Sequence, residues 1–343
     1  MTPEEINNTF YKSIPRRIKS AYNRRFLLEH FLGFKVFMPY IKKLNIKNSE
    51  RIKTHLTSFS ENLIDVPILD EDTDPNEIRL KYIEKGMPFV IRKGAKSWKA
   101  FKKWDFDFFR NEYGDHPVLL SNHKDLGEQG QKSELTNLRE IINGLDENSM
   151  KYARFNPLLD IYPHLQEELD QTWLSKVRRS KIMKHHVLFI GNKGTKTTVH
   201  CAGNENIFVH MKGSKKWFLW DQRAYPILNP DVNRGPAKAS EYNPFDVNPE
   251  DAFAKIPRYE VVCEEGDIIY IPSYLWHFVY NETPTIGVGI RWLLPKRTIA
   301  NGPLFAFLEL FNTNPSVFHT LNLRKGLDFN KILMKNKERN KGK

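Results

Sequence analysis

Residues 188–220 read LFIGNKGTKTTVHCAGNENIFVHMKGSKKWFLW. Short β-patterned runs alternate here with turn residues, and Lys212-Gly213-Ser214 is a hairpin signal. The pattern predicts strands at Val187–Gly191, Thr197–His200, Asn206–Met211 and Lys215–Trp220. It continues with Tyr259–Cys263, Asp267–Pro272, Trp276–Tyr280 and Ile286–Leu293. Many short strands in succession suggest a sandwich or barrel. His200 ends one strand, and His277, in EEGDIIYIPSYLWHFV, sits on another seventy-seven residues later. Two strand histidines so far apart face one ion only if the sheet closes on itself, as a jelly roll does. Neutral imidazoles suit iron, zinc, copper or nickel, and two histidines plus a carboxylate form the facial set of non-haem Fe(II) oxygenases.

Working outward, the Pro/Asn-rich stretch between Asp221 and Arg258 reads as a loop insertion near the barrel mouth. Upstream, strand patterns at Pro88–Arg92 and Pro117–Ser121 flank a helix pattern at Trp104–Tyr113. Residues 124–135 read as a polar loop, and Leu138–Leu145 and Pro163–Val177 as helices. The pattern divides the chain into a basic helical extension (1–60), a domain over 61–295 with its barrel core at 187–294, and a helical segment with a basic tail (296–343).

With 40% hydrophobic and 13% aromatic residues, the 343-residue chain has ample material for a packed core. Its two cysteines, Cys201 and Cys263, give neither a disulfide framework nor a metal knuckle. No secretory pattern opens the chain, and Phe26 to Ile41 is too short and too charged to span a bilayer, so a cytoplasmic setting is expected. The net charge of +12 suits an acidic partner, such as a carrier protein, and equally a simply solvated surface. No nucleic-acid motif is present, and a homodimer is compatible with the sequence.

The segment 187–293 resembles the Jumonji-C, cupin-like 2-oxoglutarate oxygenases, and most of all their asparaginyl-hydroxylase branch. The carriers are Ile190-Gly191, Gly194, Thr197, His200, Asn206, Gly213 with Lys215-Lys216-Trp217, the run from Glu265 to Pro272, and Trp276-His277. The stretch from Val66 to Asp115 resembles the N-terminal part of the same family. The resemblance implies a mainly β fold, a double-stranded β-helix (jelly roll) with N- and C-terminal helices, and Fe(II), 2-oxoglutarate and O2 as cofactors. It makes His200 and His277 metal ligands and pairs Lys215 with the distal carboxylate of 2-oxoglutarate. Thr197 and Asn206 would bond the cosubstrate, with Thr198 competing for the inward position of Thr197, and Tyr152 is a weaker partner. Phe208 and Trp292 would wall the pocket. Ile290 stands where the family often has asparagine.

Strand alternation puts Lys216, Cys201 and Arg291 on outward faces and leaves His185, His186 and His210 with loop or packing roles. The family's metal strand carries His-x-Asp or His-x-Glu; here the third residue is Ala202. A methyl group in that place leaves a coordination position open and resembles the iron halogenases, with chloride or bromide as cosubstrate. The expectation is halogenation of an amino acid, peptide or small metabolite. The alternatives are hydroxylation of a protein or peptide side chain, with water or a carboxylate such as Glu205 as third ligand, and a non-catalytic binding protein.

Overall fold

The computed structural model describes residues 2–32, 38–56, 63–120, 134–145, 147, 149–180, 182–230, 237–248 and 251–311. Of the loop expected over 124–135, residues 124–133 lie outside them, as does the basic tail, while Glu134 and Leu135 open a strand instead. Three helices come first, α1 (Pro3–Ser13), α2 (Arg16–Leu32) and α3 (Met38–Leu56). Thr2 and Glu5 cap α1 reciprocally, with Pro3 inside its first turn. Short strands β1 (Leu63–Ile64), β2 (Ile68–Leu69) and β3 (Phe89–Ile91) follow, then β4 (Pro117–Leu120), β5 (Glu134–Asn137) and β6 (Tyr152–Asn156) among small helices. Next come β7 (His185–Gly191), β8 (Lys196–Ala202), β9 (Glu205–Lys212), β10 (Lys215–Trp220) and β11 (Ala237–Ala239). The last are β12 (Arg258–Cys263), β13 (Ile268–Ile271), β14 (Trp276–Asn281) and β15 (Thr285–Trp292), before two helices at Pro295–Asn301 and Pro303–Glu309.

Strands β7 to β10, and again β12 to β15, alternate between two sheets, so that the order β1-β12-β10-β14-β8-β11 faces the order β2-β3-β13-β9-β15-β7-β6. This is a jelly-roll sandwich, and it brings β8 beside β14 and β9 beside β15. The β9–β10 hairpin turns at Gly213, whose φ of +70° only glycine adopts at no cost, and a Cβ there would meet the Pro284 carbonyl oxygen at 2.0 Å. The segment between Asp221 and Arg258, expected as a loop, contributes a strand: β11 pairs with β8, with Ala239 opposite His200 and Ala237 opposite Ala202.

Apolar cores lie on both faces of both sheets. Between the sheets are Phe189, Phe208, Trp217 and Ile269. The outer face of the seven-stranded sheet, including Ile207, Ile290 and Trp292, is covered by residues of the 75–177 segment such as Trp104, Leu158 and Leu174. The outer face of the other sheet packs Val199, Cys201, Phe218 and Trp276 against Phe10, Tyr11 and Phe26 of the first helices. The basic helices therefore turn their apolar residues onto the body of the protein. No helix among the described residues is long and apolar enough to cross a membrane.

Candidate metal centre

His200 on β8 and His277 on β14 are direct cross-strand partners. That register closes the long sequence gap and leaves the ring centroids 4.1 Å apart, inclined at 54°. In each ring, Nδ1 reaches the backbone carbonyl two residues back, Thr198 at 2.8 Å and Leu275 at 2.9 Å. A carbonyl only accepts, so Nδ1 carries the proton and Nε2 keeps its lone pair, the form that binds a metal. Burial holds both rings neutral, pushing His277 down to about 4 and His200 well below the usual range, with the neighbouring imidazole adding to the effect on His200.

A bulge in β8 places one extra residue between Thr197 and His200, opposite Val279 and His277. Two residues three apart thereby share the inner face, so Thr197 lines the cavity, while Thr198 supplies the carbonyl that holds His200. Asn206, Phe208, Phe189 and Trp217 complete the walls. The free space is about 20 Å³. A larger groove of about 500 Å³ opens beside Asn7, Arg223 and Arg297 and has no histidine in its lining.

Lys215 lies beneath this cavity with no exposed surface. Its Nζ donates to Asn281 Oδ1 at 2.6 Å, Thr285 Oγ1 at 2.9 Å and the Tyr152 hydroxyl at 3.3 Å. These oxygens are neutral, and no carboxylate pairs with Lys215 among the described residues. Burial without a counter-charge drives its pKa down to about 7. Asn281 and Thr285 were not among the expected site residues. Alternation along β14 from His277 through Val279 points to Asn281. Lys216 turns the other way and pairs with Glu260 at 3.2 Å.

Several expectations need correction. Trp292 does not wall the cavity: it packs on Tyr270 at 6.3 Å, outside the sandwich, and Ile290 faces the same outer core. Arg291 lies inside instead and lines the cavity, its Cζ 4.8 Å from the Phe155 ring. The inward residues of β15 are Thr285, Gly287, Gly289 and Arg291. A Cβ at Gly287 would stand 2.4 Å from the Phe208 ring, and one at Gly289 would stand 3.2 Å from Asn206 Oδ1. Glu205 does not reach the histidines. It lies on the outer face of β9, where Oε2 accepts from the Tyr270 hydroxyl and, at 3.2 Å, from Ser273 N–H.

Ala202 ends β8, partly exposed, its carbonyl accepting from Tyr274 N–H at 2.7 Å. Cys201 is buried in the outer core. His185 and His186 share Asp160, at 3.5 and 3.2 Å, and His210 is buried against Phe208 and Trp217. Among the described residues no three His, Cys, Asp or Glu side chains converge on one point. The residues present fit a divalent ion with two protein ligands and an anionic cosubstrate above Lys215.

The family model for the cupin-like domain matches residues 75–293. The chain belongs to the cupin-like domain family. Among its relatives are proteins named for the Jumonji-C domain and others named as lysine-specific demethylases. Jumonji C domain-containing protein 5 of Drosophila melanogaster is 23% identical over 250 residues, covering 69% of this chain and 62% of the relative. Lysine-specific demethylase JMJ30 of Arabidopsis thaliana is 24% identical over 220 residues, 62% of this chain and 51% of the relative. Lysine-specific demethylase 8 of Xenopus tropicalis is 22% identical over 247 residues, 66% and 54% of the two chains. The cupin-like chain thus spans between half and two thirds of the length of these three relatives. These relatives carry the Jumonji-C family and not its asparaginyl-hydroxylase branch.

Proposed function

We propose that this chain is an Fe(II)- and 2-oxoglutarate-dependent oxygenase that hydroxylates a C–H bond of a protein, peptide or amino-acid side chain, from a centre with two protein ligands. The carrying observation is the neutral pair His200–His277, each ring fixed by a backbone carbonyl two residues back, above the buried and uncompensated Lys215. Bound iron, 2-oxoglutarate and O2 supply the oxidation of the C–H bond. His200 and His277 offer Nε2 lone pairs without reorganising. Lys215 places a point charge for a carboxylate, and Tyr152, Thr197 and Asn206 offer hydrogen bonds beside it. Phe189, Phe208 and Trp217 keep water out and so strengthen those contacts. Relatives named as Jumonji-C proteins and lysine-specific demethylases support the oxygenase class and a side-chain substrate.

Ala202 favours a second reading, halogenation. Its methyl group neither ligates nor repels an anion, and a chloride or bromide suits the position it leaves. The test is anaerobic loading with Fe(II) and 2-oxoglutarate, with and without chloride, followed by O2 and a panel of amino acids and peptides. Hydroxylation predicts succinate and a product heavier by one oxygen whether or not chloride is present. Replacement of hydrogen by chlorine would put halogenation in its place. Absence of Fe(II) binding would remove both readings and leave a binding protein.

A further inference from the structure

Basic side chains stand close to the cavity around the two histidines. Arg291 lines it from β15, between His185 on β7 and Asn206 on β9, its cross-strand partners. Arg154 of β6, itself buried, lies close enough to disfavour protonation of His200, as Arg291 does for both histidines. Lys215 adds a third cation below. No carboxylate lines the cavity among the described residues: Glu205 faces outward, Ala202 has none, and Asp160 is taken up by His185 and His186.

Arg291 is built in rather than tethered at a surface. Its guanidinium lies over the Phe155 ring, its Nε is buried without a hydrogen-bond partner, and no ion pair holds it among the described residues. Phe155 reaches this place through a bulge in β6 and a φ of +54°, a strained conformation for an aromatic residue. Asn206, on the next strand, also aims an unpartnered and buried Oδ1 into the cavity. A divalent ion and a dianionic cosubstrate neutralise each other, so their binding leaves the arginine charge over. Burying a cation without a partner is costly, and an incoming anion removes that cost.

Deepening the oxygenase reading, on which it rests, the geometry points to Arg291 as the specificity residue for a substrate bearing a carboxylate. Arg291 receives that carboxylate in a bidentate fork at the cavity mouth, across from the histidines. The preferred substrate is then an acidic side chain, rather than a cationic one, which Arg291 repels.

The experiment measures binding by the fluorescence of the protein's tryptophans, Trp217 among them lining the cavity. The α-amides of N-acetyl-aspartate and N-acetyl-glutamate, each with one side-chain carboxylate, are compared with the α-amides of N-acetyl-asparagine and N-acetyl-glutamine, which have none. Each is titrated with Mn(II) and 2-oxoglutarate present and again with both absent. The wild type is expected to prefer the acids by about tenfold or more, the worth of one charged hydrogen-bonded pair. In R291Q the preference falls to about one, in R291K it is partly kept, and the affinity for 2-oxoglutarate is unchanged in both. Equal binding of acid and amide by the wild type, or no binding of any acid, overturns the inference. So does a preference that survives R291Q, or an R291Q variant that loses 2-oxoglutarate or chloride binding alone. If Mn(II) and 2-oxoglutarate fail to bind while the acid preference persists and depends on Arg291, the oxygenase reading falls and the specificity role stands.

Discussion

The two faces of β15 differ in kind. Toward the histidines it presents Thr285, Gly287, Gly289 and Arg291; toward the helices it presents Ile286, Val288, Ile290 and Trp292. Each face also has a buried ionisable group nearby, Lys215 inside and Glu205 outside. The outer face is continuous hydrocarbon and carries stability. The inner face gives up packing, with two glycines and an arginine, to make room for Phe208, Asn206 and a ligand. In this fold the more polar face of the strand is the inside.

The largest effect expected from that contrast is on metal binding. His277→Ala removes one of two protein ligands and is expected to lower affinity for Mn(II) or Fe(II) by more than about a hundredfold, beyond what losing an outer-shell partner does. Titration calorimetry checks this, and the melting temperature without metal should hardly move. Trp292→Ala works the other way: it is expected to cost about 3–5 kcal/mol of stability by opening a cavity, with metal affinity kept in the folded fraction. Denaturant unfolding alongside the same calorimetry reads both. An equal loss of metal affinity in Trp292→Ala would break the division between the faces. On the inner face, Gly287→Ala forces a methyl group against the Phe208 ring and is expected to cost about 1–3 kcal/mol by overpacking, while weakening ligand binding as Phe208 moves.

The smallest effects per step are in the pH dependence of stability, where the two buried groups oppose each other. Burial raises the Glu205 carboxyl from 4.5 to about 7, so the folded state holds a proton that the unfolded state releases, and its contribution to stability falls as pH rises through that window. Burial lowers Lys215 from 10.5 to about 7, so the folded state holds fewer protons between those values and stability rises with pH across them. The slopes are on the order of 1 kcal/mol per pH unit, of opposite sign, and meet near neutrality. Glu205→Gln is expected to flatten the acid limb and Lys215→Met the alkaline limb, each measured as unfolding free energy against pH. Lys215→Met is also expected to abolish 2-oxoglutarate binding, and Glu205→Gln to leave it unchanged.

Much of the fold was legible in the sequence because the strands around His200 and His277 are bounded by clear turns, and because one closed sheet was needed to bring those residues together. The insertion was misread because β11 is three residues long and its Pro/Asn-rich surroundings mask it. The histidines, Lys215 and Thr197 follow from motif and spacing, although Thr197 shares a face with His200 only through a bulge that no alternation rule contains. Arg291 and Trp292 were assigned to the wrong faces for a physical reason. Alternation says which residues share a face, and apolarity usually says which face is inside. Here helices bury the outer face as well, so the apolar residues mark the wrong side. Gly287 and Gly289 carried the missing signal, since strand glycines stand where another side chain crowds the backbone.

Both imidazoles are oriented by backbone carbonyls two residues back, so the donor pair is in place before any ion arrives. With Ala202 supplying no oxygen, the protein's share of the coordination is two nitrogens and nothing harder. Such a pair follows the general order of divalent affinities and takes copper, nickel or zinc more readily than iron. The choice of ion in a cell then rests on supply, and on the oxygen-rich cosubstrate that arrives with it, rather than on the shape of the site.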